Sequence, residues 1–248
     1  NVLQDLGRSS EAEAKTAQAI RGLMRRRARR PLRVLISAGP TREPLDRVRF
    51  LSNYSTGYMG AQLAAAALAR RHRVVVVHGP LTEPLPRGVR RFPVEQAREM
   101  GAALRRAAKS ADVVMMAAAV SDFQAVRAAR GKWPRRGRHV LVLQATPDII
   151  GRLPRRRRQL VVGFAVESDH LVRRARRKLR QKRLDLLLAQ HVNGSGAPFG
   201  RRRVHAWLLE RGGTVEPLGM VTKSQVARAL LDKIEALWYG QPDMASST

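Results

Sequence analysis

From Leu32 onward, short apolar runs rich in β-branched residues alternate with longer stretches in which apolar positions recur at helical spacing. Short strands set between longer helical patterns are the signature of βαβ units and a mostly parallel sheet. The pattern predicts strands at Val34–Ala38, Arg73–His78, Val113–Val120, Val140–Leu143, Leu160–Ala165 and Leu184–Ala189. It predicts helices at Gly60–Arg71, Glu95–Lys109, His170–Lys182 and Lys223–Leu237, with Thr222 or Ser224 able to cap the last. A hairpin follows the sheet, Val204–Leu209 turning at Arg211-Gly212-Gly213 into Thr214–Pro217. The expected fold is α/β: a Rossmann-like, mostly parallel sheet flanked by helices, with a C-terminal hairpin.

Outside this region the pattern fades. Residues 1–31 begin polar, pass through a weakly helical Ala/Glu/Gln stretch and end in RGLMRRRARRP, which reads as a basic tail or linker closed by Pro31. The predicted domain is 32–240, and 241–248 read as a frayed tail. The chain begins at Asn1 rather than Met, so loss of an upstream domain stays open. With 248 residues and 44% apolar content, one α/β domain plus tails can bury a sizeable core. No stretch approaches the roughly 18 uninterrupted apolar residues of a membrane span, and the N-terminus lacks a signal-peptide core. The expectation is a cytoplasmic protein with no membrane association. The chain has no cysteine, which excludes disulfides, thiolate metal sites and a cysteine nucleophile. Its six histidines are scattered, so no metal is assigned to protein ligands, and any metal is expected to arrive with a phosphate ligand.

Charge changes the picture. Lys and Arg number 48 against 19 Asp and Glu, a formal charge of +29, concentrated in runs such as Arg25-Arg26-Arg27, Arg155 to Arg158, Arg173-Arg174 and Arg201-Arg202-Arg203. Clustered cations bind a phosphate backbone through counterion release, so a basic nucleic-acid-binding protein on a Rossmann-like scaffold is an alternative reading. Aromatic residues make only 4% of the chain, too few for the stacking platforms of single-strand binders. A basic surface that attracts anionic substrates accounts for the same runs.

Four segments carry candidate chemistry. SAGPTREPLD (Ser37 to Asp46) follows the first strand, where open α/β sheets bind ligands, but Gly39-Pro40 serves equally as a plain turn. The absence of GxGxxG there, and of a recognisable Tyr/Lys pair, counts against an NAD(P)-dependent dehydrogenase. VRFLSNYSTGYMG (Val48 to Gly60) places Arg49, Asn53, Ser55, Thr56, Gly57 and Gly60 before an Ala-rich helix. Amides and hydroxyls at a helix N-terminus suit an anion, and they equally suit a capping loop with no ligand. MAAAVSDF (Met116 to Phe123) ends a strand of small side chains in Asp122, either a hydrogen-bond acceptor beside a nucleotide or a helix-cap or turn residue. Lys132, Lys178 and Lys182 stand out in a chain that prefers Arg, and Lys178 and Lys182 share one helix face, meeting either a polyphosphate or solvent.

In order and spacing these segments resemble the phosphopantothenoylcysteine synthetase family, the phosphopantothenate–cysteine ligase half of the bifunctional bacterial coenzyme A biosynthesis protein. The resemblance runs from Leu32 to Gly240 through AGPTREPLD, VRFLSNYSTGYMG, AAAVSDF, the Lys132 loop, TPDII (Thr146 to Ile150), VGFAVE (Val162 to Glu167) and KLRQKRLDLLLA (Lys178 to Ala189). It implies a carbon–nitrogen ligase that joins 4′-phosphopantothenate to L-cysteine through an acyl-nucleotide, with Mg²⁺ and CTP (or ATP) and no flavin in this chain. By position it implies that Asn53 processes the acyl intermediate, that Arg49 supports that loop, and that Lys132 acts in catalysis and nucleotide binding. Met116, Ala117, Ala118, Asp122, Thr146, Pro147, Asp148, Ile149, Phe164, Lys178 and Lys182 fall at nucleotide-contact positions, and Gly39, Ser55, Thr56 and Gly57 form a substrate and phosphate loop. It further implies a homodimer and a phosphopantothenoylcysteine decarboxylase, separate or upstream. Two departures stand out: Lys132 is followed by Trp133-Pro134-Arg135-Arg136 where the family often has further lysines, and Gln190 stands where it commonly has asparagine.

Overall fold

A computed structural model describes residues 29–191 and 199–240. The tail readings for residues before 29 and for 241–248 lie outside the described residues. The chain divides into two units, 1–31 and 32–248, and the second carries the architecture that follows.

Its strands are β1 (Arg33–Ala38), β2 (Arg42–Pro44), β3 (Phe50–Ser52), β4 (Arg73–His78), β5 (Arg90–Pro93), β6 (Val113–Met116), β7 (Phe123–Ala125), β8 (Leu143–Ala145), β9 (Leu160–Glu167), β10 (Leu186–His191), β11 (Val204–Glu210) and β12 (Val215–Val221). Its described helices are α1 (Tyr58–Ala69), α2 (Ala97–Ala108), α3 (Leu171–Gln181) and α4 (Lys223–Tyr239). The main sheet runs β12-β11-β10-β9-β6-β1-β4-β5. The six strands from β10 to β5 are parallel, and the β11–β12 hairpin extends the β10 edge antiparallel. Counted along the chain, the parallel strands stand in the order 3-2-1-4-5-6, the Rossmann arrangement, whose direction of winding reverses between β1 and β6.

The parallel strands are apolar on both faces because helices cover both. Val34, Ile36 and Ala38 of β1 pack with Met59, Leu63, Ala64 and Ala67 of α1 and Val226, Leu230 and Ile234 of α4. Leu35 joins the opposite layer, with Met100 and Leu104 of α2 and Leu171, Ala175 and Leu179 of α3. Gly60 lets α1 lie close to β1, since a Cβ there would stand 2.4 Å from the Ala38 Cβ. Polar residues join the same layers at one end: buried His72 accepts from Leu32 N at 3.3 Å and meets Glu235 of α4 at 3.1 Å. Thr222 caps α4, its hydroxyl accepting from Gln225 N at 3.3 Å.

Several boundaries differ from expectation. The predicted strand Val113–Val120 ends at Met116, because the next backbone groups turn to the β1 loop: Ala118 N donates to Ser37 Oγ at 3.1 Å and Ala119 N to Gly39 O at 2.9 Å. The apolar run Val140–Leu143 is not a core strand. Val140 and Val142 are exposed, and pairing with β7 occupies Leu143–Ala145 instead. β5 is an edge strand with two arginines and a proline, and β2–β3 and β7–β8 are short antiparallel ribbons outside the main sheet. Asp122 leads into β7 rather than a helix, so the helix-cap reading fails, and Asp148 heads a turn rather than a first helical turn.

Candidate active site

The carboxyl ends of β1, β6 and β9 open onto a crevice at the reversal point of the sheet, where ligands of such folds bind. Its floor is backbone against backbone. Gly39 takes φ +73°, and a Cβ on Gly79 would stand 1.6 Å from Pro40 O, so the turns after β1 and β4 fit only without side chains there. Thr41 locks the adjoining strand end: its hydroxyl accepts from Ser121 N at 3.0 Å and its amide donates to Ala119 O at 3.3 Å.

At the N-terminus of α1, Gly57 takes φ +80°, Gly57 N donates to Ser55 Oγ and Tyr58 N to Thr56 Oγ1, each at 3.3 Å. The capping-loop reading therefore describes real bonds: Thr56 takes the first amide of α1, while the N-cap residue itself, Gly57, has no side chain to offer. This loop faces a cavity of about 140 Å³ whose other walls include Ala117, Ala118, Phe164, Gln190 and Lys223. Of the predicted residues, Ser55, Thr56, Gly57, Ala117, Ala118 and Phe164 are thus brought together. A wider cleft of about 740 Å³ lies beyond the ends of β4 and β5, but none of the predicted residues lines it.

Lys178 lies in the last turn of α3 and Lys182 directly follows the helix. Lys178 Nζ donates to the Phe164 carbonyl at 3.1 Å, and its burial lowers its pKa against the raising effect of Glu167 and Asp122. Lys182 Nζ pairs with Asp148 Oδ2 at 2.5 Å. Burial works to raise the Asp148 pKa, but Lys182 and the Gly151 and Ile150 amides outweigh it and the net shift is downward. Lys178 and Lys182 do leave one helix face, yet each ammonium has its own partner. Thr146 Oγ1 donates to Ser121 O at 2.6 Å and Thr146 N to Asp122 O at 2.9 Å, fastening the segment that carries Pro147 and Asp148 beside the end of β6. Met116 and Ile149 are buried in the α2–α3 layer, shaping the site from behind.

Asn53 Nδ2 donates to Val120 O at 2.9 Å, which sets its amide at the rim of the crevice. Arg49 pairs with Asp46 at 2.7 Å, and exposed Lys132 lies on a loop held to that pair through Trp133. Sequence reasoning passes over two residues. Lys223 shares the rarity that singles out the other lysines but reads only as a helix start, although it is buried in the cavity wall and donates to Gly200 O at 2.7 Å. Asp46 stands in a quoted motif with no role, because its partner Trp133 is 87 residues away. Gln190 is buried and lines the cavity.

Known proteins resemble this chain over most of its length. The bifunctional coenzyme A biosynthesis protein CoaBC of Bacillus subtilis strain 168 is 37% identical over 207 residues, 82% of this chain and 51% of that protein. A protein named cysteine/cysteine sulfinic acid decarboxylase, from an unknown prokaryotic organism, is 36% identical over 239 residues, 93% of this chain and 67% of that one. The chain thus spans about half the length of the CoaBC protein. The crystal structure of a C-terminal domain of CoaBC superposes with a TM-score of 0.71 at 32% identity, covering 85% of this chain and 97% of that domain. Residues 30–237 match the family described as DNA/pantothenate metabolism flavoprotein C-terminal domain, and the chain belongs to that family.

Proposed function

We propose that this chain is the ligase of coenzyme A biosynthesis that joins 4′-phosphopantothenate to L-cysteine, using CTP and releasing CMP and pyrophosphate. A carboxylate oxygen of phosphopantothenate attacks the α-phosphorus, and the bond to the pyrophosphate oxygen breaks. The cysteine amine then attacks the acyl carbon of the mixed anhydride, CMP leaves, and the amine gives up a proton. The observation that carries the reading is the cavity that the α1 loop, Ala117, Ala118 and Phe164 line together, with Asn53 bonded to the Val120 carbonyl and Lys178 to the Phe164 carbonyl.

Negative charge builds on phosphoryl oxygens as the nucleophile arrives, so fixed cations are the most effective aid. Lys132, Lys178 and Lys182 supply them, Phe164 offers a face for the base, and small Ala117 and Ala118 leave room for it. With Asn53 Nδ2 committed to Val120, its Oδ1 is the atom left to accept from the incoming cysteine amine. Mg²⁺ favours one or two carboxylates plus substrate phosphates, a donor set that exposed Asp122 completes, and when bound it would neutralise phosphate charge. The reading assigns no flavin to this domain; a flavin absorption band in the purified protein would contradict that. It places the enzyme in the cytoplasm, acting with a separate or upstream decarboxylase. No helix among the described residues is long and apolar enough to cross a membrane.

The same reading makes the protein a homodimer. Val48, Phe50, Phe123, Val126, Val140, Val142 and Leu143 are exposed on or beside the β2–β3 and β7–β8 ribbons, an apolar surface of the kind that marks a protein interface.

The test is pyrophosphate release with CTP, ATP and GTP, with and without phosphopantothenate and cysteine, in wild type and Lys132→Ala. Release that needs phosphopantothenate and falls at least about a hundredfold in the variant supports the reading. Carbon dioxide from cysteine without nucleotide would favour the activity in the name of the decarboxylase relative. The exposed arginines of α3, Arg173, Arg174, Arg176, Arg177 and Arg180, favour nucleic-acid binding as a second reading. DNA affinity that falls steeply with salt and ignores CTP would select it.

A further inference from the structure

Asp46 is 5% exposed, and its carboxylate collects four hydrogen bonds from two distant parts of the chain. Oδ1 accepts the Val48 and Arg49 amides, each at 2.7 Å. Oδ2 accepts Arg49 Nη1 at 2.7 Å and the Trp133 amide at 3.1 Å. The Arg49 guanidinium also reaches the Trp133 carbonyl at 3.5 Å, so both sides of that one residue are held. One residue before Asp46, Leu45 O accepts Ala129 N at 2.9 Å, a second stitch between the same segments. Past Trp133 the loop closes on itself: the indole stacks on His139 at 5.2 Å, and His139 Nε2 lies 3.0 Å from Pro134 O. The loop is thus a preformed unit fastened to the domain at Ala129 and Trp133, with Lys132 next to the second fastening.

We propose that Asp46 is a positioning residue: by clamping Arg49 and Trp133 it fixes the peptide from which Lys132 reaches the nucleotide. This rests on the reading of Lys132 as a nucleotide-binding lysine. The clamp gives Arg49 a function distinct from touching substrate, since its guanidinium serves as the cationic half of the loop's anchor. It also explains why the loop tolerates Trp133-Pro134-Arg135-Arg136: the anchor at Trp133 is a main-chain amide and carbonyl, indifferent to side chain.

Asp46→Asn tests this. The new side chain keeps one oxygen for the Val48 and Arg49 amides but sets an NH₂ against Trp133 N–H and the Arg49 guanidinium, both donors. A loop freed in this way should lower kcat/KM for the nucleotide on the order of a hundredfold, as a misplacement of about 1 Å does. In a Lys132→Ala background the same substitution should change kcat/KM less than about twofold, because interacting sites are not additive. A full additive loss in that background would overturn the proposal. Trp133→Pro, which deletes the donating amide, guards against misfolding of Asp46→Asn; it should lose activity where Trp133→Ala, which keeps the amide, does not, and equal behaviour of the two would also overturn it. Trypsin cleavage between Arg130 and Arg138, mapped by mass spectrometry, should accelerate in Asp46→Asn more than cleavage at arginines elsewhere in the domain. This arm needs no turnover: if wild type releases no pyrophosphate the ligase reading fails, while unchanged cleavage overturns the clamp itself.

Discussion

Lys223 sits at the start of α4 with only 5% of its surface exposed, and burial pulls its ammonium down to a pKa of about 8, from 10.5 in the open chain. Between those values the unfolded chain holds a proton that the folded protein has released, so stability should rise with pH across the window from about 8 to 10.5. Urea denaturation at stepped pH should show that rise in wild type and lose it in Lys223→Met; parallel curves would remove Lys223 as its source. Asp46 behaves in the opposite sense. Burial works to raise its pKa, yet the amides of Val48, Trp133 and Arg49 and the Arg49 charge hold it at about 2, against 3.8 unfolded. Its stabilisation is complete above pH 3.8 and disappears as pH falls to about 2. Asp46→Asn should therefore be less stable than wild type at pH 6 and approach it near pH 2, and a gap that persists in acid would contradict the assignment. Neither role is legible in sequence. The bond that holds the Lys223 ammonium is to the Gly200 carbonyl, 23 residues away, and one of the amides that hold the Asp46 anion comes from another loop, so no local pattern announces either.

At the scale of elements, legibility follows burial. β1, β4 and β9 pack on both faces and announce themselves as apolar runs, and α1 to α4 lie within two residues of their predicted ends. β5 reads as charge and proline because an edge strand needs neither full burial nor every amide. The Val140–Leu143 run misleads in the other direction, since an apolar stretch predicts burial and Val140, Val142 and Leu143 remain exposed. Small residues make the contact that matters most for the site. Gly60→Ala would place a methyl 2.4 Å from Ala38 Cβ and force α1 outward, with a loss of about 1–3 kcal/mol typical of overpacking. Because Ser55 to Gly60 line the cavity, that shift should weaken nucleotide affinity in calorimetry as well as lower the denaturation midpoint. A stability loss with unaltered affinity would separate the α1 N-terminus from the binding site.

Over the whole molecule, charge and apolar surface oppose each other. A chain of +29 repels its own copy at long range, whereas the exposed Val48, Phe50, Phe123, Val140 and Val142 favour contact once two copies meet. Salt discriminates between the two forces, because the Debye length falls from about 14 Å at 0.05 M to about 6 Å at 0.3 M while apolar attraction is not screened. Self-association through the ribbons should therefore tighten as salt rises, the opposite of nucleic-acid binding by the same arginines. Sedimentation equilibrium across that range should show the dimer constant strengthening, and Phe50→Asp together with Val142→Asp should leave a monomer at every salt concentration. If association instead weakens with salt, opposite charges must hold the copies together and the ribbons are not the seam. Both substituted positions lie away from the cavity wall, so the monomer also asks whether one copy binds nucleotide alone. Retained affinity with lost turnover would mean that the partner copy steadies the neighbouring Asp46–Trp133 clamp for reaction.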